Sequence, residues 1–497
     1  MSERNRSQGI KFSLVSYTGI VIGAISTLFI YPQNLSLYGF YGFLTNTASL
    51  FAPLVSLGFG SVMLRYFPLY RDNNGKTDGK FLYFIVCGYL LGISIFLILF
   101  YIFKKQILLL FNSNDLNLIS NIEFVVPLTI LFVFYELLSS FATSHKLIAL
   151  PALLSNLIKI VLPLLFLFSI KQYLNYTGFV CCILFYYLLI IFLLYNYLRK
   201  FDRFSLIPNK EFFKGEKAKS MLRYASYSML TSASAVIALR IDSIMITSHL
   251  GTEANGSFSM AYFISNAIWI PALAIYEILT SEVSKSSIIN DESELQKLYS
   301  KSIRTMLIPT VWASICIYIS FDSLVQFLPN SEKLLLIKST LSLLLISRIV
   351  DAGTGVNHHL MSFSKFYRVE LMLLIGLAII NIGLNLTFIP TFGITGAALS
   401  TLISVSIFNL LKTAILYWKL SYQPYDWRIF KILICGVLIL LSKHLIPQTS
   451  LPLVNILINC SWASLCFLVF IVYFNISPEY LSEIKKMSAV RFSGHRR

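Results

Sequence analysis

The chain has 497 residues, 56% hydrophobic and 13% charged, with 40 Lys and Arg against 23 Asp and Glu and a net charge of +17. So apolar a composition excludes a disordered chain and a soluble globular domain, and the basicity reads as a membrane topology signal instead of a nucleic-acid footprint. Seven cysteines (Cys87, Cys181, Cys182, Cys316, Cys435, Cys460 and Cys466) all fall in apolar runs, which excludes a disulfide scaffold built on outer loops.

An α-helix needs about 20 apolar residues to cross roughly 30 Å of hydrocarbon. The chain offers fourteen such runs, so the expected fold is an all-α polytopic membrane protein. The first, 12–32, is too long for a signal-peptide core and lacks a small-residue cleavage site, so it is a retained helix. Runs 43–64, 81–103, 121–143, 147–169 and 177–198 follow it and complete an N-terminal lobe over residues 1–198. The connection 199–223 carries eight Lys and Arg and reads as a basic cytoplasmic linker. A C-terminal lobe, 224–418, holds runs 224–247, 257–281, 304–325, 334–354, 368–390 and 394–418. Two further runs, 428–446 and 452–474, and a basic tail occupy 419–497.

An even number of spans leaves both termini on one side, and the cations say which. With the N-terminus inside, 31 of the 40 Lys and Arg are cytoplasmic, Lys412 and Lys419 among them. The outer loops hold six: Lys104, Lys105, Lys171, Lys333, Lys338 and Lys443. The remaining three, Lys159, Arg240 and Arg348, lie inside spans. Connections this short leave no room for an extramembrane domain, so the work is done within the bilayer.

A Thr-Gly pair opens the sixth span (Thr177, Gly178) and another the twelfth (Thr395, Gly396), 218 positions on. Gly42 and Gly256 stand 214 apart at the second and eighth spans. Two six-helix halves in the same orientation are a parallel repeat, a pattern of alternating-access transporters with a central cavity between two lobes. The last two spans stand outside it.

Three segments carry a family resemblance: LGFGSVMLRYFP (Leu57 to Pro68), RIDSIMITSHLG (Arg240 to Gly251) and NIGLNLTFIPTFGITGAALST (Asn381 to Thr401). Each resembles the corresponding part of the polysaccharide flippases, the O-antigen (Wzx-type) branch of the multidrug/oligosaccharidyl-lipid/polysaccharide exporter superfamily, and the likeness runs from about residue 10 to 475. Read physically, Pro390 ends a helix, Gly393 allows a tight turn, and Gly396, Ala397 and Ala398 permit close helix packing, as do Gly58 and Gly60. The resemblance implies a flippase, not an enzyme, that moves undecaprenyl-pyrophosphate-linked oligosaccharide from the inner to the outer leaflet of a bacterial plasma (inner) membrane, for O-antigen, capsule or exopolysaccharide synthesis. It also implies a coupling H⁺ or Na⁺, a polysaccharide polymerase and a chain-length regulator as partners, and no cofactor.

A diphosphate and a sugar head cannot cross hydrocarbon unaided; the path needs a wet cavity with fixed cations. Arg348, Lys159 and Arg240 are therefore the candidate substrate-binding residues. A second role fits each: neutralising a nearby acid, Lys159 with Glu136 and Arg240 with Asp242. Arg240 and Asp242 do not face each other on one helix, so each needs its own partner. Glu136 and Asp242 are the candidate ion-coupling residues, while Glu277 and Asp351 lie nearer helix ends. Asn46, Asn156, Asn381 and Asn385 suit either sugar hydroxyls or bonds between helices.

The six histidines show no metal-ligand spacing, and His358-His359 reads as a surface pair in a cytoplasmic loop. No P-loop is present to hydrolyse ATP. Two rivals stand beside the flippase. A cation-coupled drug antiporter of the same superfamily would have twelve spans and an acidic or apolar cavity, and a membrane glycan polymerase would carry a large external loop.

Overall fold

The computed structural model describes residues 18–476 apart from 20, 72–75, 110–114, 203–204, 210–211, 214, 290 and 475. Residues 12–17 and 20 of the first expected span and the basic tail with Lys485, Lys486, Arg491, Arg496 and Arg497 lie outside the described residues. Among those described, helices are joined by short turns, with one isolated β-bridge between Arg71 and Thr77.

Among the described residues ten helices are long and apolar enough to cross a membrane, or up to eleven if a bent pair, Val21–Val55 and Phe59–Leu69, forms one span. The difference from fourteen has physical sources. Two expected spans are occupied by helices of 15 residues, Lys338–Ala352 and Trp427–Leu441, which rise only about 22 Å. The first two expected spans fall together in the bent pair.

The chain divides into two compact units, Met1–Ser259 and Met260–Arg497. The first contains α1 (Leu35–Val55), α2 (Phe59–Tyr66), α3 (Gly79–Leu109), α4 (Val125–Ser144), α5 (Ala149–Asn156), α6 (Ile158–Ile170), α7 (Tyr176–Leu198) and α8 (Glu216–Leu250). Asn34 caps α1 by accepting from the Leu37 N–H, and Asn175 caps α7 through the Gly178 N–H, so each supplies an acceptor the helix start lacks. α1 packs on α4 and α8, and α4 on α7, around Val62, Phe81, Phe84 and Phe141. Leu90, Leu91, Ile98, Phe185, Leu188 and Phe192 point outward and exposed. That inside-and-outside apolarity suits a lipid solvent, in which a helix can satisfy its backbone hydrogen bonds within its own segment.

Between α1 and α2 the backbone turns through left-handed φ at Leu57 (50°) and Gly58 (74°). Gly58 is thus the site of a break, a role the packing expectation did not include. A Cβ there would lie 2.3 Å from the Ala225 carbonyl oxygen, so both conformation and space require glycine. The basic linker is folded onto this unit where it is described. Phe212 and Phe213 pack on Phe84, and the buried Asp202 accepts from the Thr77 N–H and hydroxyl and lies 3.4 Å from His145.

The second unit holds most of α9 (Thr252–Ile288), then α10 (Glu292–Val325), α11 (Lys338–Ala352), α12 (Asn357–Ser362), α13 (Tyr367–Phe392), α14 (Ile394–Leu420), α15 (Trp427–Leu441) and α16 (Pro452–Tyr473). Only Gly251 separates α8 from α9, so the outer loop expected between Leu250 and Gly256 is a single residue. α14 packs on α11 and α13, and α10 on α15 and α16. Asn381 donates to Ser404 on α14, the interhelical role among the two open for it, while Asn385 donates to Asn381 one turn back on its own helix. Pro390 lies inside α13, which ends two residues later at Phe392 before Gly393. A proline near a C-terminus still leaves its own carbonyl free to accept, so its ring alone does not stop the helix. A Cβ on Gly396 would meet the Phe388 carbonyl oxygen at 2.0 Å, which is the close packing expected of it.

One polar tie repeats. The Thr177 hydroxyl donates to Asn121 at 2.9 Å in the first unit, and Thr395 lies 3.2 Å from Ser339 in the second. Both partners move by 218 positions, the spacing of the Thr-Gly pairs.

Candidate functional site: one polar cavity in each unit

The first unit encloses about 330 Å³ beside the break after α1, lined by Ser56, Gly58, Ser61, Tyr135, Glu136 and Tyr187 among others. Glu136 comes from α4. Its Oε1 lies against Gly60, with the Ser140 hydroxyl and the buried Tyr89 hydroxyl at the same spot. No ion pair joins Lys159 to Glu136, so that expected neutralisation is not formed. Lys159, on α6, is half-buried and makes no hydrogen bond or ion pair among the described residues; its stem lies near Gly23.

Arg240, on α8, is exposed and donates to the Asn46 side chain at 3.0 Å. Asp242, two residues on, is buried. The structure thus separates the two, as their angular offset on one helix requires.

The second unit encloses about 240 Å³ between α9, α11, α12 and α14. Arg348 on α11 is the centre of its hydrogen bonding. One nitrogen donates to Asn266 at 2.8 Å, another to Asp351 at 3.2 Å, and the guanidinium lies 5.8 Å from the Tyr262 ring centroid. Asp351 also accepts from Asn409 at 2.8 Å, and Asn357 donates to Asn409.

Lys412 on α14 lines the same cavity and is only 3% exposed. Its ammonium stands 4.0 Å over the Phe408 ring and makes no hydrogen bond or ion pair among the described residues. A buried ammonium without an acceptor is costly, and a cavity is where an anion would supply one. The topology count set Lys412 on the cytoplasmic side, yet it falls within the expected span 394–418, and that position was the available signal.

His358 and His359 are not a surface pair. His358 Nδ1 lies 2.5 Å from Glu370 Oε1, with the Glu370 side chain 5% exposed and its second oxygen without a hydrogen-bond partner. His359 stacks on Phe363 and tilts against Tyr276. Burial, with the adjacent His358 and Lys412, pushes the His359 imidazole down to about 4, so it is neutral near pH 7. A short turn-helix-turn folded inward, α12, explains the difference: no hydropathy reading separates it from a loop. Glu277 is exposed.

The sequence therefore named residues that occupy three separate places. Arg348 sits in the second-unit cavity with Lys412; Glu136 lines the first-unit cavity; Lys159, Arg240 and Asp242 line neither. Among the described residues no group of three or more His, Cys, Asp and Glu is arranged to hold a metal ion. The second cavity can hold a compact anion between a guanidinium and an ammonium, while the first offers a single carboxylate among hydroxyls.

A family model described as Polysaccharide biosynthesis protein matches residues 12–277. An uncharacterized membrane protein of Methanocaldococcus jannaschii is 29% identical over 240 residues, which cover 46% of this chain and 54% of that protein. The chain thus spans about half the length of the curated relative it matches. Among solved structures, lipid II flippase MurJ in an inward closed conformation superposes with a TM-score of 0.72 at 17% identity, covering 94% of this chain and 99% of that one. An inward-facing multidrug resistance MATE transporter of the MOP superfamily gives 0.63 at 16%, covering 83% and 94%. A MOP superfamily transporter from Pyrococcus furiosus, described as having a binding pocket of reverse polarity, gives 0.54 at 14%, covering 83% and 94%. At these identities the likeness is one of fold.

Proposed function

The chain belongs to the polysaccharide biosynthesis protein family and has the all-helical fold of the MOP superfamily; on that premise we propose that it is a flippase for an undecaprenyl-pyrophosphate-linked oligosaccharide. The cargo moves from the cytoplasmic to the outer leaflet of a bacterial inner membrane by alternating access, for O-antigen, capsule or exopolysaccharide synthesis. Both termini are cytoplasmic, as the cation distribution indicates. A polysaccharide polymerase and a chain-length regulator act on the delivered unit.

The observation that carries this reading is the pair of cations, Arg348 and Lys412, lining one cavity together with Asn357 and Asn409. A diphosphate engages a planar guanidinium through two parallel bonds and an ammonium as a point charge. Asn357 and Asn409 suit the first sugar. Lys159 and Arg240 belong on the approach of the cargo and not in this cavity. Glu136 takes the coupling H⁺ or Na⁺, since the hydroxyls of Ser56, Ser61 and Tyr135 line the same space; Asp242, buried on α8, is the second candidate.

The test is complementation of a flippase-deficient strain that makes the matching repeat unit. The wild-type chain restores surface polysaccharide. Failure to restore it, with the protein present in the membrane and the repeat unit intact, contradicts the reading. A cation-coupled antiporter is favoured by one observation, the single acid of the first cavity beside Phe132, Tyr135 and Tyr187. It predicts that drug tolerance rises with expression while polysaccharide stays absent.

A further inference from the structure

The second cavity, as found, is nearly charge-balanced. Arg348 pairs with Asp351 at 3.2 Å. Lys412 has two acids acting on it through space, first Glu370 and then Asp351. A polyanion that draws Arg348 and Lys412 to itself leaves both carboxylates short of counter-charge in a confined space, and uncompensated buried charge is the expensive outcome. Asp351 keeps the Asn409 amide. Among the described residues Glu370 keeps only His358, and its Oε2 has no hydrogen-bond partner there.

The His358 side chain is 43% exposed while that of Glu370 is 5% exposed. One imidazole thus joins a buried carboxylate to water. The other ionisable groups around the pair are fixed on the remaining walls: Tyr276 and the exposed Glu277 on α9, Arg348 and Asp351 on α11, His359 on α12, and Lys412 on α14. His359 is stacked between Tyr276 and Phe363 and is held neutral. That leaves the His358–Glu370 pair, in which the ring reaches water while the carboxylate stays buried.

We propose that a diphosphate bound between Arg348 and Lys412 is accompanied by uptake of one proton at the His358–Glu370 pair. This rests on reading the cavity as a diphosphate site, and it adds the regulation of that site. The proton enters on the His358 ring from the water side, and the added positive charge replaces what Glu370 loses when Lys412 turns to the ligand. The linkage has a definite sign. A pair that binds protons more tightly in the complex than in the free protein makes the anion bind more tightly as pH falls, by up to about tenfold per pH unit for one proton. An acidified cytoplasmic face therefore favours loading.

The experiment is titration calorimetry of the purified full-length protein in detergent with farnesyl diphosphate, at one pH near neutrality in two buffers of different ionisation enthalpy. The inference expects binding heats that differ between buffers by about the difference of the two ionisation enthalpies, the amount for one proton taken up. Glu370→Gln should still bind but lose that buffer dependence, whereas Lys412→Met should weaken binding by tenfold or more. Tight binding with the same heat in both buffers overturns the inference and leaves the diphosphate site standing. Unchanged proton uptake in Glu370→Gln overturns the assignment to the pair. No binding, by a wild-type protein whose fold is verified by its thermal transition, overturns the cavity reading and the inference with it.

Discussion

Replacing Arg348 by alanine isolates the cation around which the second cavity is organised. The side chain makes one bond to Asn266 and one to Asp351; without it Asp351 retains the Asn409 amide and Asn266 still donates to the Tyr262 carbonyl. With its side chain 15% exposed against 25% for Asp351, the pair is screened from part of the penalty of a fully buried one, so the protein should fold and insert. The cargo loses a charge-assisted pair of hydrogen bonds, about 1.5–3 kcal/mol, which is roughly a 10- to 150-fold loss of affinity. Arg348→Lys keeps a point charge without the planar fork and should fall between wild type and alanine. The assay is surface polysaccharide in the complemented strain, scored with protein abundance in the same cells. Wild-type polysaccharide from the alanine variant at normal abundance would refute the reasoning, and disappearance of the protein would assign Arg348 to folding.

Gly58→Ala should lower the thermal stability of the detergent-solubilised protein by about 1 kcal/mol or more, since it sits at φ 74° with its Cβ 2.3 Å from the Ala225 carbonyl oxygen; an unchanged melting temperature would contradict the break. Glu136→Gln should preserve abundance and abolish ion movement during transport, read in vesicles with H⁺- and Na⁺-sensitive dyes, and ion flux at the wild-type rate would move coupling elsewhere. Single cysteines at Lys200 and at Gln172, in a background without native cysteines, test the topology: Gln172→Cys should react with an impermeant reagent in intact cells and Lys200→Cys only after lysis, and the reverse pattern would invert the map.

Much of the fold was legible because hydrocarbon is a demanding solvent. Long apolar runs such as 81–103 and 177–198 have no alternative to a helix. The repeat showed in the Thr-Gly pairs because the same polar tie recurs at Thr177 and Thr395. What stayed hidden depends on packing across sequence distance. α11 and α15 are apolar yet short, since hydropathy does not count where a turn interrupts a run. His358 and Lys412 looked like topology or surface residues because burial inside a polar cavity leaves no mark on local composition. Arg348 stood out because it lies in an apolar run; Glu370, which pairs with His358 of the cavity lining, sits in the first turn of α13, where an acid is ordinary.

The most direct test of the central claim is translocation by the purified protein in liposomes. A fluorescent undecaprenyl-pyrophosphate-linked oligosaccharide is placed in both leaflets, and its accessibility to an impermeant quencher is followed over time. The account predicts that protein-containing vesicles expose the inner-leaflet pool to the quencher at a rate that empty vesicles and the Arg348→Ala protein do not match. Equal rates in all three, with the protein folded and inserted, would contradict it.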